Sequence, residues 1–217
     1  MVAGSNERRF TMISKMNRLM IFSLCLFVLY GCAITRAKIP IDNDSIQPGT
    51  SVTMGGKSMK LLGKPIAVGD SLPSVDLVDA MTMKPVDLSK IKGSILFLSI
   101  VPSVDTPVCE AQTHYLGEEG NKLAPEIIRI AISRDTPFAQ KRFAKEAKLE
   151  HMQFLSDYKE GAFGRANGLL MDGLMLLARS VIIVDREGKV RYIQVVPEIT
   201  HLPDMERAFQ KAGELVK

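Results

Sequence analysis

Cys109 is the residue whose surroundings are best suited to chemistry. The chain reads Pro102-Ser103-Val104-Asp105-Thr106-Pro107-Val108-Cys109-Glu110 directly after an apolar run that ends at Val101. Pro107 fits the first turn of a helix, where its missing N–H is not needed. Cys109 then falls inside that turn. Free backbone N–H groups and the positive end of the helix dipole stabilise a thiolate there, the nucleophilic form of cysteine. Thr106 lies near the N-cap, and its hydroxyl can reach the first-turn amides or the sulfur. The end of a buried strand is also where α/β sheets generally place ligands. A lone cysteine is more often apolar filling. Turn, threonine, proline and helix start at the end of a core strand together favour a working thiol.

Other chemistries are poorly served by the composition. The chain has 217 residues, 46% of them hydrophobic, and three cysteines. Three cysteines exclude a disulfide-dense scaffold and a four-thiolate zinc site. His114, His151 and His201 lie far apart, without metal-ligand spacing. Gly55-Gly56 is followed by no third glycine or helix start, so it is no nucleotide loop. Neither a metal nor a cofactor is expected.

The elements that must position Cys109 alternate between strand and helix. Residues 94–101, 127–132 and 180–184 are nearly all apolar, the mark of strands buried on both faces. The last continues through Asp185-Arg186-Glu187-Gly188 into the alternating run 189–195, a hairpin at the sheet edge. Helical stretches are expected over about 107–124, 136–148 and 159–167. A final helix opening at Pro203 has apolar residues at i, i+3, i+4 and i+7. Gly55-Gly56 between residues 51–54 and 58–62 signals a tight N-terminal hairpin. The fold class is α/β, with a central mixed sheet flanked by helices.

The formal net charge of +4 is unevenly spread. Arg8, Arg9, Lys15 and Arg18 face only Glu7 within the first 31 residues, so residues 32–217 are close to neutral. A nucleic-acid partner would need its basic excess in the folded part, and none is expected. Residues 19–29 form an uncharged apolar run, too short to span a bilayer comfortably and of signal-peptide length. It ends in Leu29-Tyr30-Gly31-Cys32, which resembles a bacterial lipobox, with Tyr30 bulkier than usual. The expected organisation is a lipoprotein-type signal over 1–31, a lipidated Cys32 and flexible tether over 32–50, and a domain over 51–217. Asp42 and Asp44 read as solvated linker charge. The expected location is the cell envelope, anchored by lipid to a bacterial membrane and facing the periplasm or exterior. Ala33 in place of aspartate leans toward the outer membrane.

Pro102-x-x-x-Thr106-x-x-Cys109 resembles the active-site signature of the peroxiredoxins. Matches over Ser133–Phe143, Leu177–Val181 and Glu198–Thr200, with the N-terminal hairpin, narrow the resemblance to the thiol peroxidase branch. The likeness covers about 52–217 and implies a thioredoxin-like fold. It also implies a role for each matched residue. Cys109 would be the peroxidatic cysteine, attacking the O–O bond and becoming a sulfenic acid. Thr106 would orient the peroxide, Pro102 would shield the sulfur from water, and Arg179 would stabilise the thiolate and the departing oxygen. Displacement at oxygen develops negative charge on the leaving group, which fixed donors suit. The family further implies a peroxide substrate and a homodimer.

One departure matters. The branch usually carries a resolving cysteine just after the Phe-Ala-Gln-x-Arg-Phe stretch, where this chain has Ala144. With Cys25 in the signal and Cys32 lipidated, the mature chain retains one thiol. An external thiol or thioredoxin-like protein must then reduce Cys109. Two further readings stand beside this one. A thioredoxin-like oxidoreductase is disfavoured, because Thr106-Pro107-Val108-Cys109 keeps only the second position of Cys-x-x-Cys. A non-catalytic thioredoxin-fold lipoprotein with a binding or redox-sensing role gains some support from the missing resolving cysteine.

Overall fold

The computed structural model describes residues 38–216. The apolar run 19–29, Cys25 and Cys32 lie outside the described residues. The central sheet has seven strands in the order β11-β10-β6-β7-β8-β4-β5. These are β4 (Asp76–Asp79), β5 (Pro85–Asp87), β6 (Ile95–Ile100), β7 (Ile127–Ser133), β8 (Gln153–Ser156), β10 (Ser180–Val184) and β11 (Val190–Val195). β6, β7 and β8 run parallel. β10 and β4 add on antiparallel at the two sides, and β11 and β5 close the edges as hairpins. The fold is the expected mixed α/β sheet.

The layers follow from the two-residue period of β6. Leu96, Leu98 and Ile100 enter a core with Val52 and Leu61 of the N-terminal hairpin and with Leu169, Leu170 and Leu177. Ile95 and Phe97 enter a second core on the other face, with Leu116, Ala144, Phe209 and Ala212. Those four belong to α1 (Pro107–Glu118), α2 (Pro137–Glu146) and α4 (Met205–Glu214). Ser99 has the parity of Ile95 and Phe97 and so points toward the helices. A short α3 (Ala162–Asn167) lies between β8 and β9 (Leu170–Met171).

The expected hairpin is β2 (Ser51–Met54) with β3 (Lys57–Leu62), joined by Gly55 and Gly56 at φ of 58° and 79°. Two consecutive positive φ angles define the turn whose twist matches paired strands. Three expectations shift. Helix 107–124 ends at Glu118 and tightens into a 3-10 turn over Glu119–Lys122. The last helix opens at Met205, because Pro203 lies in β12 (Leu202–Pro203) and Asp204 caps the helix by accepting from Arg207 N. Residues 39–50 also belong to the folded body, where the tether reading expects flexible chain. Ile39 onward forms one compact unit. β1 (Ile41–Asp42) pairs parallel with β12, and Gln194 Nε2 donates to the carbonyls of Asp42 and Asp44. Asp42 Oδ1 lies 3.1 Å from His201 Nδ1 and its Oδ2 accepts from Glu198 N at 3.5 Å, so the carboxylate packs against the body rather than standing as solvated linker charge. Short polar runs carry no period; backbone pairing and one buried amide order this one.

Glu198 ties the hairpin to the body. Its carboxylate accepts from Thr53 Oγ1 at 2.8 Å, Gly55 N at 3.0 Å, Gly56 N at 3.2 Å and Thr200 Oγ1 at 2.8 Å. Burial pushes its pKa upward, but these donors prevail and hold it at about 2 against an ordinary 4.5. Asp87 is likewise held at about 2, burial being outweighed by Ser74, Ser89 and Lys90. A depressed folded-state pKa contributes stability above the unfolded value, lost as pH falls toward the folded one. Denaturation midpoints are therefore expected to drop between pH 4.5 and pH 2. Glu198→Gln should cost on the order of 1–2 kcal/mol at neutral pH, a figure reduced for solvent screening, and should flatten that drop. A Gln variant as acid-sensitive as the parent would refute this role for the tie.

Candidate active site

The loop after β6 turns directly into α1. Thr106 is the N-cap residue, in extended geometry (φ −135°, ψ 145°), and Pro107 takes the first helical position. The first intrahelical bond runs from Glu110 N to Thr106 O at 2.9 Å. The amides of Val108 and Cys109 thus precede the helical ladder. Thr106 makes no side-chain capping bond, so of the two reaches open to its hydroxyl, accepting from the first-turn amides is not the one made. Cys109 is 0% exposed and packs with Val101 and Val104, against which Phe143 of α2 also rests. Pro102 is buried at the start of the same loop, while Thr106 is exposed.

Arg179 reaches this sulfur because of the sheet register. β10 runs antiparallel to β6 with Ser180 opposite Ile100, so the preceding residue lies at the C-terminal end of β6, beside the loop. Its side chain is 2% exposed, far from the solvated surface charge a strand-start arginine would otherwise be. Each nitrogen of the guanidinium has its own acceptor. Nη2 donates to Cys109 Sγ at 3.3 Å, Nη1 to Gln112 Oε1 at 2.8 Å, and Nε to the Ile199 carbonyl at 2.8 Å. Burial lowers the pKa of Arg179, and the Cys109 sulfur opposes that shift. Two of these acceptors are neutral oxygens, so the sulfur is the partner able to carry compensating charge. A planar fork with fixed donors suits this task better than a lysine would.

The four residues singled out in the sequence thus divide. Pro102, Thr106 and Cys109 share one loop and helix start, and Arg179 joins Cys109 from the neighbouring strand. Two further groups escaped the sequence reading. Gln112, one turn after Cys109, is fully buried, with Nε2 donating to Ser99 Oγ at 2.8 Å. The signal was Ser99, a hydroxyl in an otherwise apolar strand facing the helix side. The Ile199 carbonyl is a backbone atom. It is held in place by Ile199 N donating to Thr53 O at 2.9 Å, which ties the arginine to the hairpin. Among the described residues no group of His, Cys, Asp or Glu is arranged to hold a metal ion.

A buried thiol at a helix N-terminus, hydrogen-bonded by a buried guanidinium, can act as a nucleophile on an electrophile that leaves as an anion. Residues 67–209 match the Redoxin family model, and the chain belongs to that family. A thiol peroxidase of Halalkalibacterium halodurans is 40% identical over 163 residues, covering 75% of this chain and 96% of that protein. One of Bacillus subtilis is 37% identical over 166 residues, covering 76% of this chain and 98% of the relative. Among solved structures, a peroxiredoxin-like protein from Aquifex aeolicus aligns with a TM-score of 0.72 at 32% identity, over 78% of this chain and 99% of that one. A thiol peroxidase from Chromobacterium violaceum shares the fold, with a TM-score of 0.67 at 22% identity over 81% of this chain and all of the other. Within the family the chain falls in the thiol peroxidase branch of the peroxiredoxins. It is a thiol-dependent peroxidase with a thioredoxin-like fold.

Proposed function

We propose that the chain reduces hydrogen peroxide and organic hydroperoxides at Cys109 through a one-cysteine cycle, from a lipid-anchored position in the bacterial cell envelope. The observation that carries the site is the Arg179 Nη2 bond to Cys109 Sγ at 3.3 Å inside a buried first turn. The thiolate attacks one peroxide oxygen. An S–O bond forms, the O–O bond breaks, and the leaving oxygen departs as alcohol or water after taking a proton. Arg179 stabilises the developing charge, Thr106 orients the peroxide, and Pro102 shields the sulfur. An external thiol then attacks the sulfenic sulfur, releasing water and forming a mixed disulfide. A second thiol cleaves that bond, which regenerates Cys109 and yields an oxidised dithiol.

The one-cysteine form is supported at position 144. Ala144 fills the place of the branch's usual resolving cysteine and is fully buried in the helix-side core. Cys109 is the free cysteine among the described residues. The order of basic stretch, apolar run and Gly31-Cys32 supports the anchor, and a lipid-modified N-terminal Cys32 in the mature protein is what mass spectrometry should find. With dithiothreitol as sole reductant, peroxide should be consumed catalytically. One equivalent of peroxide without reductant should leave a sulfenic acid on Cys109 that dimedone traps, with no intramolecular disulfide. Without a resolving thiol nearby, excess peroxide should carry Cys109 on to sulfinic acid. A Cys109 disulfide within one chain, or a Cys109 that remains a free thiol in millimolar peroxide, would sink the one-cysteine cycle.

A further inference from the structure

The loop that carries Pro102 and Thr106 is not held by its own backbone alone. Asp135 lies just beyond the end of β7, and its carboxylate takes three donors. Oδ1 accepts from Ser103 Oγ at 2.7 Å, while Oδ2 accepts from Val104 N at 2.7 Å and from Ser133 Oγ at 2.6 Å. Ser103 Oγ in turn accepts from Asp105 N at 3.2 Å. The anchoring side is itself braced. Ser133 Oγ accepts from Gln140 Nε2 at 2.8 Å, and the same amide donates to the Leu155 carbonyl at 3.0 Å. Ser156 Oγ donates to the Asp135 carbonyl. Strand β7, strand β8 and helix α2 therefore brace Asp135, whose carboxylate grips Ser103 and Val104 directly and Asp105 through the Ser103 hydroxyl.

We infer that Asp135 is a positioning residue for peroxide reduction. It acts through the loop and touches neither sulfur nor peroxide. Val104, whose amide it holds, packs its side chain against Cys109. Thr106 lies two residues beyond, and its hydroxyl makes no capping bond that would fix it otherwise. Fixing 103–105 therefore sets where the Thr106 hydroxyl and the Pro102 ring stand relative to the sulfur. Arg179 approaches from β10 and shares no bond with the clamp. Loss of the clamp should therefore misalign the peroxide without removing the thiolate's cationic partner. Ala in place of Asp135 removes all three acceptor bonds at once, whereas Asn would keep one oxygen for Val104 N and donate its amide to the Ser103 hydroxyl, leaving the clamp largely standing.

This inference rests on Cys109 as the thiol that meets peroxide, and two rates on the full chain separate the two ideas. One is Cys109 oxidation by hydrogen peroxide, read by dimedone labelling. The other is Cys109 alkylation by iodoacetamide, which needs a thiolate and no aligned O–O bond. Asp135→Ala is expected to slow oxidation about 100-fold and to slow alkylation by no more than about threefold, as misplacement of roughly an ångström does. An oxidation rate within about tenfold of the parent, or a parallel fall in alkylation, overturns the positioning role. Absence of dimedone labelling on Cys109 in the parent protein removes the peroxide reading and this one with it. If Asp135→Ala does not fold, Ser103→Ala decides the matter. It deletes one of the carboxylate's three bonds, and the Asp105 N bond to the same hydroxyl, and should slow oxidation selectively by about fivefold; no selective slowing overturns the proposal.

Discussion

Cys109→Ser is expected to reduce peroxide consumption with dithiothreitol to the rate of buffer alone. Serine differs from cysteine by one atom, but its hydroxyl is almost wholly un-ionised near neutral pH and has no accessible oxidised state equivalent to a sulfenic acid. The substitution is also mild for the fold. Cys109 is 0% exposed, and a serine oxygen at the same position would accept the Arg179 Nη2 hydrogen bond that the sulfur now takes. The cost of a hydroxyl beside Val101 and Val104 is then offset by that bond, and stability should change by no more than about 1–2 kcal/mol. Folding and activity are thus separable, and the loss reports the chemistry of one atom. Peroxide consumption that persists in the Ser variant would remove Cys109 from the reaction. A parent protein no faster than the variant would favour the non-catalytic binding role.

Much of this site was legible in the sequence because its parts belong to strong local patterns. The apolar run of β6, the proline at the helix start and the cysteine inside the first turn each have a physical reason that needs no structure. Arg179 became legible only through its resemblance, because its burial depends on pairing Ser180 with Ile100 across strands 80 residues apart. Gln112 and Asp135 were invisible as functional groups. A glutamine on a helix or an aspartate in a turn is usually solvated, and only the sheet reveals that Ser99 waits for one and that Ser103 and the Val104 amide converge on the other. The Ile199 carbonyl has no side-chain signal at all. Two-residue strands such as β1, β9 and β12 are too short to carry a period, which is why residues 39–50 look like tether in the sequence alone.

The network explains why an arginine without a carboxylate partner can be buried here. Removing a cation from water is costly unless its donors are met. Arg179 meets them with a side-chain amide, a backbone carbonyl and the reactive sulfur. Gln112 is itself braced by Ser99, and the Ile199 segment by the hairpin that Glu198 ties down. In the proposed cycle, the guanidinium is already aimed at the sulfur where negative charge would develop, so no reorganisation would be needed at the moment of reaction.

Arg179→Met should accordingly lower the rate of peroxide reduction by about 100- to 1,000-fold, the usual consequence of removing one pre-oriented donor from a buried site. Methionine fills much of the volume, so packing is largely kept. It leaves Gln112 Oε1 and the Ile199 carbonyl without their donor, at about 1–3 kcal/mol each, so the variant should also unfold at lower denaturant. Arg179→Lys separates charge from geometry. A lysine retains the positive charge but presents a single ammonium on a flexible stem, and it cannot reach three acceptors spread around a guanidinium. Its rate should fall between the parent and Met, with part of the stability restored. Rates measured on folded protein at saturating dithiothreitol, beside denaturation midpoints, read both effects. A Met variant within about tenfold of the parent would show that the guanidinium holds the fold together without assisting the reaction. A Lys variant equal to the parent would show that charge alone suffices and that the three-way fork is dispensable.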